Sequence, residues 1–390
     1  GTSTGTVGRI FITGVSPITI DDLGSGANIF TYLSLNSSFE GMCGFTEAEV
    51  SSLLEPRLAE LGALHRLDEL MEILRFYFNG YGFSRDAIER IFNPDMVLYF
   101  LRELKTLDSL PPYMLDENLR MDYGKLRALM VGNQSSPRPE NVQKLLEVVS
   151  TGGTLAQLER TFPLSQAWEP RFFASLLFYH GLLTLEAATG RLVIPNFVIR
   201  QLLWENLRDM LNEVCTATPP QEQLHSALKQ LATEGDPLPF LRTMQAHLFP
   251  KLSNRDYIRF DEPRMKALCL AWLSLFEYQL VFSELEHIGG YSDLILVPNP
   301  HHPWATHCVL LELKYLKLRD FERGGLEAVE TKMSEGETQL LSYTGDPRLA
   351  TFGNRPWTRH TIVFAARREI YHRAPGEPTQ RLEQVEEEYE

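Results

Sequence analysis

Gly289-Gly290-Tyr291-Ser292-Asp293-Leu294-Ile295-Leu296-Val297 is followed by Thr306-His307-Cys308-Val309-Leu310-Leu311-Glu312-Leu313-Lys314-Tyr315. Both stretches are short apolar runs rich in β-formers and bounded by Gly and Pro, so both read as strands. Pro298-Asn299-Pro300-His301-His302-Pro303 lies between them. It cannot continue a strand and reads as the turn of a hairpin. The charges are few and oddly placed. Asp293 opens the first strand, and Glu312 and Lys314 interrupt the second two residues apart, so both face the same way. Desolvating an unpaired charge is costly, so the acid and the amine are either a mutual salt bridge or a site. One chemistry uses all three groups. Two carboxylates hold a divalent cation through hard oxygen ligands. The cation neutralises a phosphate and makes a bound water more nucleophilic. A lysine beside them orients or deprotonates that water, or stabilises developing charge.

The surroundings are consistent with a site. Residues 263–282 form a long apolar segment with helical spacing, including Met265, Leu268, Cys269, Leu270, Trp272, Leu273, Leu275 and Phe276. Asp261-Glu262-Pro263 before it is a helix-start signal. Glu286 lies in Ser283-Glu284-Leu285-Glu286, in the strand before the Gly-Gly turn. After the hairpin, residues 327–343 read as a helix in which Gln339 and Tyr343 share a face. Thr361-Ile362-Val363-Phe364-Ala365-Ala366 reads as a buried strand flanked by Arg359, Arg367 and Arg368. The order helix, three strands, helix, strand predicts an α/β core.

Asp293, eighteen intervening residues, then Glu312-Leu313-Lys314 resembles the site of the PD-(D/E)XK nucleases, without a Pro before the Asp. The resemblance implies a restriction-endonuclease-like αβββαβ core that hydrolyses phosphodiester bonds with Mg²⁺ or Mn²⁺, acting on DNA rather than RNA. It implies that Asp293 and Glu312 coordinate the metal, with the carbonyl of Leu313 as a further ligand. Lys314 would position or activate the attacking water. Glu262 or Glu286 would complete the acidic set, and Gln339 and Tyr343 would orient phosphate or the lysine. Two alternatives stand beside this reading. One is an interaction or effector protein with an inactive nuclease fold; the other is a fragment of an ATPase that acts on partners.

The chain has 390 residues, 44% hydrophobic and 23% charged, enough for two to three domains with real cores. No apolar run approaches the length of a membrane span. The N-terminus does not read as a signal peptide. Cys43, Cys215, Cys269 and Cys308 have neither metal nor disulfide spacing, which suits reduced cysteines in an intracellular protein. His301, His302 and His307 likewise have no partner at zinc-ligand spacing. The net charge of −14 argues against a tight non-specific nucleic-acid binder. The acidic stretch at residues 383–390 carries part of it. Arg255, Arg259, Arg264, Lys317, Arg319, Arg323 and Lys332 supply local positive charge around the site.

Upstream, residues 8–18 read as a strand ending in a Gly turn. Thr46 and Glu49 form a capping box, and Asn93-Pro94 starts a helix. Leu53, Leu54, Leu58, Leu61, Leu64, Leu67, Leu70, Met71, Ile73 and Leu74 recur at helical spacing as core positions. Residues 111–112 and 135–139 read as linkers. Residues 171–183 read as one buried helix, followed by a small hairpin at residues 181–194, an order resembling a winged-helix module with a structural role. Ile12-Thr13-Gly14-Val15-Ser16-Pro17-Ile18, Gly44-Phe45-Thr46-Glu47-Ala48-Glu49-Val50 and Phe78-Asn79-Gly80-Tyr81-Gly82-Phe83 resemble the end of an AAA-ATPase-like domain placed before a PD-(D/E)XK module. No phosphate-cradling G-x-x-x-x-G-K-[ST] is present, so the resemblance places any nucleotide site upstream of this chain. The division expected is residues 1–44 as an ATPase-like remnant, 45–150 as a helical lid-like domain, 151–244 as a helical and winged-helix-like domain, and 245–390 as the nuclease-like domain. Nucleic acid, a homo-oligomer or an upstream ATPase-like domain are the partners implied.

Overall fold

The structure, a computed structural model, describes residues 31, 33–87, 89–104, 114, 138–159, 162, 166–215, 220–252, 262–287, 290–343, 349, 355–365 and 369–382. At residues 139, 208–215, 251–252, 263–264, 283–287 and 290–292 it describes the backbone alone. The strand expected at residues 8–18, the linker at 111–112 and the acidic stretch at 383–390 lie outside the described residues.

The first helices start where local chemistry says they should. In α1 (Glu47–Glu60) the Thr46 hydroxyl accepts the Glu49 N–H at 3.3 Å, and Glu49 Oε2 accepts the Thr46 N–H at 2.8 Å. After α2 (Leu67–Phe78), Asn93 Oδ1 caps α3 (Pro94–Glu103) by accepting the Met96 N–H at 3.2 Å. The leucine-rich run at residues 53–74 is thus two helices rather than one face. The turn between them leaves Leu64 in solvent, and Leu53 is exposed on α1, while Leu54, Leu58, Leu70 and Leu74 are buried. Pro139, expected in a linker, instead opens α4 (Pro139–Thr151) as its first residue. Next come β1 (Gly153–Thr154), α5 (Pro170–Tyr179), β2 (Thr184–Leu185) and β3 (Leu192–Val193). The strands form a small antiparallel sheet in the order β1-β3-β2. Four helices lead on: α6 (Phe197–Cys215), α7 (Gln221–Glu234), α8 (Leu238–His247) and the short α9 (Phe249–Leu252).

The second half is built on a six-stranded sheet. After α10 (Glu262–Leu273) come β4 (Gln279–His287), β5 (Gly290–Pro298) and β6 (Cys308–Leu316), then α11 (Leu318–Ser342), β7 (Trp357–Ala365), β8 (Glu369–Arg373) and β9 (Gln380–Arg381). The strands follow one another in sequence order, and β6–β7 is the one parallel pair. A parallel neighbour requires a crossover, and α11 supplies it. β6 therefore has both faces covered, which is why it reads as an almost unbroken apolar run. One face carries Leu294, Leu296, Val309, Leu311, Leu313 and Ile362, which share a core with α10 and the preceding helices. The other carries Ile295, Leu310, Leu316 and Val363 and packs on α11. Phe197 of α6 stacks on Phe76 of α2 at 4.8 Å and lies 5.8 Å from Phe282 of β4, so the helical half and the sheet share one core.

Three helix expectations are corrected. Residues 263–282 are not one helical segment: α10 ends at Leu273 and β4 begins at Gln279. Between them Glu277 takes a φ of 52°. Asn299 fixes that turn, donating through Nδ2 to the Glu277 carbonyl at 2.8 Å and through N–H to the Tyr278 carbonyl at 3.1 Å. Pairing with β5 overrides the helical spacing of the apolar residues. The helix expected at 327–343 begins at Leu318 and breaks at Gly325, whose φ of 52° and ψ of −137° suit glycine. The run expected as a helix over 171–183 is helical only over Pro170–Tyr179.

Candidate active site

The site forms where two strands part. The β5–β6 ladder pairs Leu296 with Val309, Ile295 with Leu310 and Leu294 with Leu311, and stops there. Beyond that point, N–H groups of β6 on the β5 side need acceptors, and two carboxylates supply them. Asp293, the residue just before the last pair, takes the Leu313 N–H on Oδ2 at 2.9 Å. Glu262, at the start of α10, takes the Tyr315 N–H on Oε2 at 3.2 Å. Asp293 Oδ1 lies 3.5 Å from the ammonium of Lys266, one helical turn after Glu262.

Glu312 and Lys314 lie on the opposite edge of this gap, on the α11 side of the sheet. Lys314 Nζ donates to Glu312 Oε1 at 2.8 Å, and the two side chains are 9% and 2% exposed. The apolar packing under α11 is divided: Leu310 belongs to a cluster with Leu340 and Tyr343, and Leu316 to another with Val329 and Met333. Glu312 and Lys314 fall between Leu310 and Leu316 on the same face, so the charged pair occupies the break. Glu312 Oε2 is buried with no hydrogen-bond partner among the described residues.

Electrostatics follow from this placement. Burial, reinforced by the charge of Asp293 and only partly opposed by Lys314, pushes the Glu312 carboxyl up to about 8. Burial acts to lower Lys314, but Glu312, Asp293 and Glu262 outweigh it and hold the amine above its ordinary value. Lys314 is therefore an ammonium here. Glu262 is raised by burial and by Asp293, against the pull of Lys314, the Tyr315 N–H and Lys332. The Tyr343 hydroxyl is raised by burial and then by the charges of Glu312 and Asp293.

An open cleft of about 950 Å³ reaches this group, lined by Glu262 and Lys314 on one side and by Glu327, Lys332, Thr338 and Gln339 of α11 on the other. Of the residues singled out in the sequence, the structure brings together Asp293, Glu262, Glu312, Leu313 and Lys314, with Gln339 exposed at the cleft and Tyr343 buried beside it. The Glu286 side chain lies outside the described residues, as do Arg255, Arg259, Arg367 and Arg368 and the side chain of Arg264. His302 packs its ring on Tyr278 at 5.2 Å and Trp304 at 5.4 Å in the β5–β6 turn. Sequence reasoning missed Lys266. Its signal was a lone cation in the apolar run Met265-Lys266-Ala267-Leu268, four residues after an acid already singled out.

Among the described residues, no group of three or more His, Cys, Asp or Glu side chains forms a ready metal centre. The donor set nonetheless fits a hard divalent cation. Burial first, and then the charge of Asp293, raise Glu312, and one of its buried carboxylate oxygens has no hydrogen-bond partner among the described residues. A cation supplies the countercharge and the partner.

The family model of the PD-(D/E)XK nuclease superfamily matches residues 260–373, the stretch running from the start of α10 through β8. No curated protein and no solved structure matches the chain.

Proposed function

We propose that the nuclease-superfamily domain at residues 260–373 hydrolyses phosphodiester bonds of nucleic acid, DNA before RNA, with Mg²⁺ or Mn²⁺ held by Asp293 and Glu312. The observation that carries the reading is the buried oxygen of Glu312 that has no hydrogen-bond partner among the described residues, close to Asp293 and linked through Lys314, which bonds its other oxygen, to the wall of an open cleft. When bound, the ion neutralises phosphate charge and makes water more acidic. The chain's own groups do the rest. Asp293 is aimed by the Leu313 N–H, so its position does not depend on the ion. The Leu313 carbonyl is a further oxygen available to the metal. Lys314, kept charged by Glu312, donates to the attacking water or to a phosphate oxygen rather than taking a proton. Glu262 completes the acidic set, and Gln339 presents its amide to phosphate at the cleft mouth. Tyr343 orients the Glu312–Lys314 pair from below.

The test is a cleavage assay on linear and circular DNA and on RNA, with Mg²⁺, Mn²⁺ or chelator. Metal-dependent cutting is expected, with a loss of roughly 10²–10⁴-fold in Asp293→Asn and Lys314→Met. Cutting that survives chelation, or that Asp293→Asn leaves intact, would sink the reading.

One observation favours a second reading. Glu262, Glu327, Glu330 and Glu335 line the cleft, against Lys314 and Lys332. An acidic wall repels a polyanion and suits an interaction protein with an inactive nuclease fold. In that case Asp293→Asn keeps its partner binding. For the region before the domain, we read the α4-to-β3 arrangement as winged-helix-like, supported by a hairpin following α5. The AAA-ATPase-like remnant rests on sequence motifs. Buried free Cys269 and Cys308 suit a reducing, intracellular setting.

A further inference from the structure

Thr361 of β7 is fully buried, and its hydroxyl has no hydrogen-bond partner among the described residues. A buried hydroxyl left unpaired is destabilising, and valine would fill nearly the same space without that penalty. The neighbours show what the hydroxyl can reach. Thr361 pairs with Glu312 of β6 on one side and with Arg373 of β8 on the other, so the three side chains form a row on the α11 face of the sheet. Over the row lies Gly336 of α11, which has no side chain to offer and sits so close that a Cβ there would stand 3.2 Å from Thr361 Oγ1. A hydroxyl proton needs an acceptor. Arg373 only donates, and its Nε, Nη1 and Nη2 are already turned to Thr379, Glu337 and Glu330. Lys314, next along the same face of β6, also only donates. Glu312 is the member of the row that can accept. Its Oε1 takes the Lys314 ammonium at 2.8 Å, while Oε2 is buried without a partner among the described residues. Two unpartnered buried oxygens, one able to donate and the other to accept, thus belong to directly paired residues. A carboxylate oxygen has two lone pairs, so Oε2 can accept from a hydroxyl and still face a cation. Holding a cation requires the deprotonated carboxylate, the form that a hydroxyl donor favours.

We propose that Thr361 is a positioning residue of the cation site: its hydroxyl donates to Glu312 Oε2, directly or through a buried water, and fixes the plane of that carboxylate for the metal. The proposal rests on the metal-dependent reading above and adds the residue that aims the second carboxylate. The Leu313 N–H aims Asp293, Lys314 holds one oxygen of Glu312, and Thr361 holds the other.

The test is the Mn²⁺ affinity of the full-length chain, read by electron paramagnetic resonance of the free ion. Asp293→Asn serves as the blank for weak binding to the acidic surface. Thr361→Val keeps the shape and loses the hydroxyl, Thr361→Ala loses both, and Thr361→Ser keeps the hydroxyl. Removing a group that orients a metal ligand weakens binding by about 10–100-fold. That loss is expected in Thr361→Val and Thr361→Ala, with affinity largely kept in Thr361→Ser. Urea unfolding in chelator checks that each variant is folded. Wild-type affinity in folded Thr361→Val or Thr361→Ala would overturn the proposal, as would a loss in Thr361→Ser equal to that in Thr361→Val. Thr361→Ala carries the test should Thr361→Val fail to fold. A wild type that binds no ion beyond the Asp293→Asn blank refutes the metal reading and the proposal with it, an outcome distinct from equal affinities.

Discussion

Glu312 and Lys314 share a hydrogen bond of 2.8 Å in a nearly closed space, and each constrains what the other can do. Glu312, Asp293 and Glu262 together hold the amine above its ordinary value, so in the proposed reaction the lysine is expected to serve as a donor and a charge. Lys314→Arg, which keeps both, is expected to retain more activity than Lys314→Met, and the gap should lie in kcat rather than KM. Equal losses in the two variants would point to shape, not charge. If the domain cuts nucleic acid as proposed, substrate grip is expected from other residues. Lys317 and Arg319 are exposed just after β6 and make no ion pair among the described residues. Replacing both with Ala is expected to raise KM, leave kcat near wild type and flatten the salt dependence of binding by about two phosphate contacts. An unchanged salt slope contradicts that. Asp293, Glu312 and Lys314 were legible because charge on a strand of otherwise unbroken apolar residues has few explanations. Glu262 was legible only as one of two candidates, since a first-turn acid also serves the helix dipole. Lys266 escaped because a helical lysine is ordinarily solvated, and its burial depends on where β5 leaves β6.

The crossover helix α11 must approach β6 and β7 closely enough to cover the charged pair. Gly336 permits that approach: a Cβ there would meet Thr361 Cγ2 at 2.4 Å, and Thr361 is the residue of β7 paired with Glu312. Alanine is intrinsically favoured over glycine in a helix by about 1 kcal/mol, but a stiff β-branched neighbour cannot yield cheaply. Gly336→Ala is expected to lower stability by ~1–3 kcal/mol in urea denaturation, the cost of overpacking. A stability gain would show that α11 does not seat on Thr361. The hairpin and its turn could be read from period and proline placement. The end of α10 could not, because Leu275, Phe276 and Phe282 suit a helix face and a buried strand equally, and the strand partner lies later in the chain.

At the scale of the molecule, the helical half is fastened to the sheet at a buried histidine pair. His360 of β7 lies 2.9 Å from the Gly235 carbonyl and 2.9 Å from His372 of β8. A carbonyl only accepts, so His360 Nε2 carries the proton and Nδ1 accepts from His372 Nε2–H. Burial, then His372, pushes His360 down to about 4, against the help of the Gly235 carbonyl. Burial also lowers His372, against the charges of Asp236 and Glu377. The unfolded chain takes up a proton near 6.5 and the folded chain only near 4. This part of the stability is therefore complete above pH 6.5 and is lost as pH falls towards 4. Wild type should lose about 2–3 kcal/mol more than His360→Gln between those values, measured by urea unfolding at stepped pH. Parallel pH profiles would contradict it. None of this contact between distant segments was visible in the sequence, where His360 and His372 look like ordinary strand residues. The single core joining α2, α6 and β4 was hidden for the same reason.

The central claim is a cation position shared by Asp293 and Glu312, and anomalous diffraction from crystals soaked in Mn²⁺ tests it most directly. The account predicts a peak bonded to both carboxylates in the wild type and lost in Asp293→Asn. A wild-type crystal with no peak there, or a peak that persists in Asp293→Asn, would contradict it.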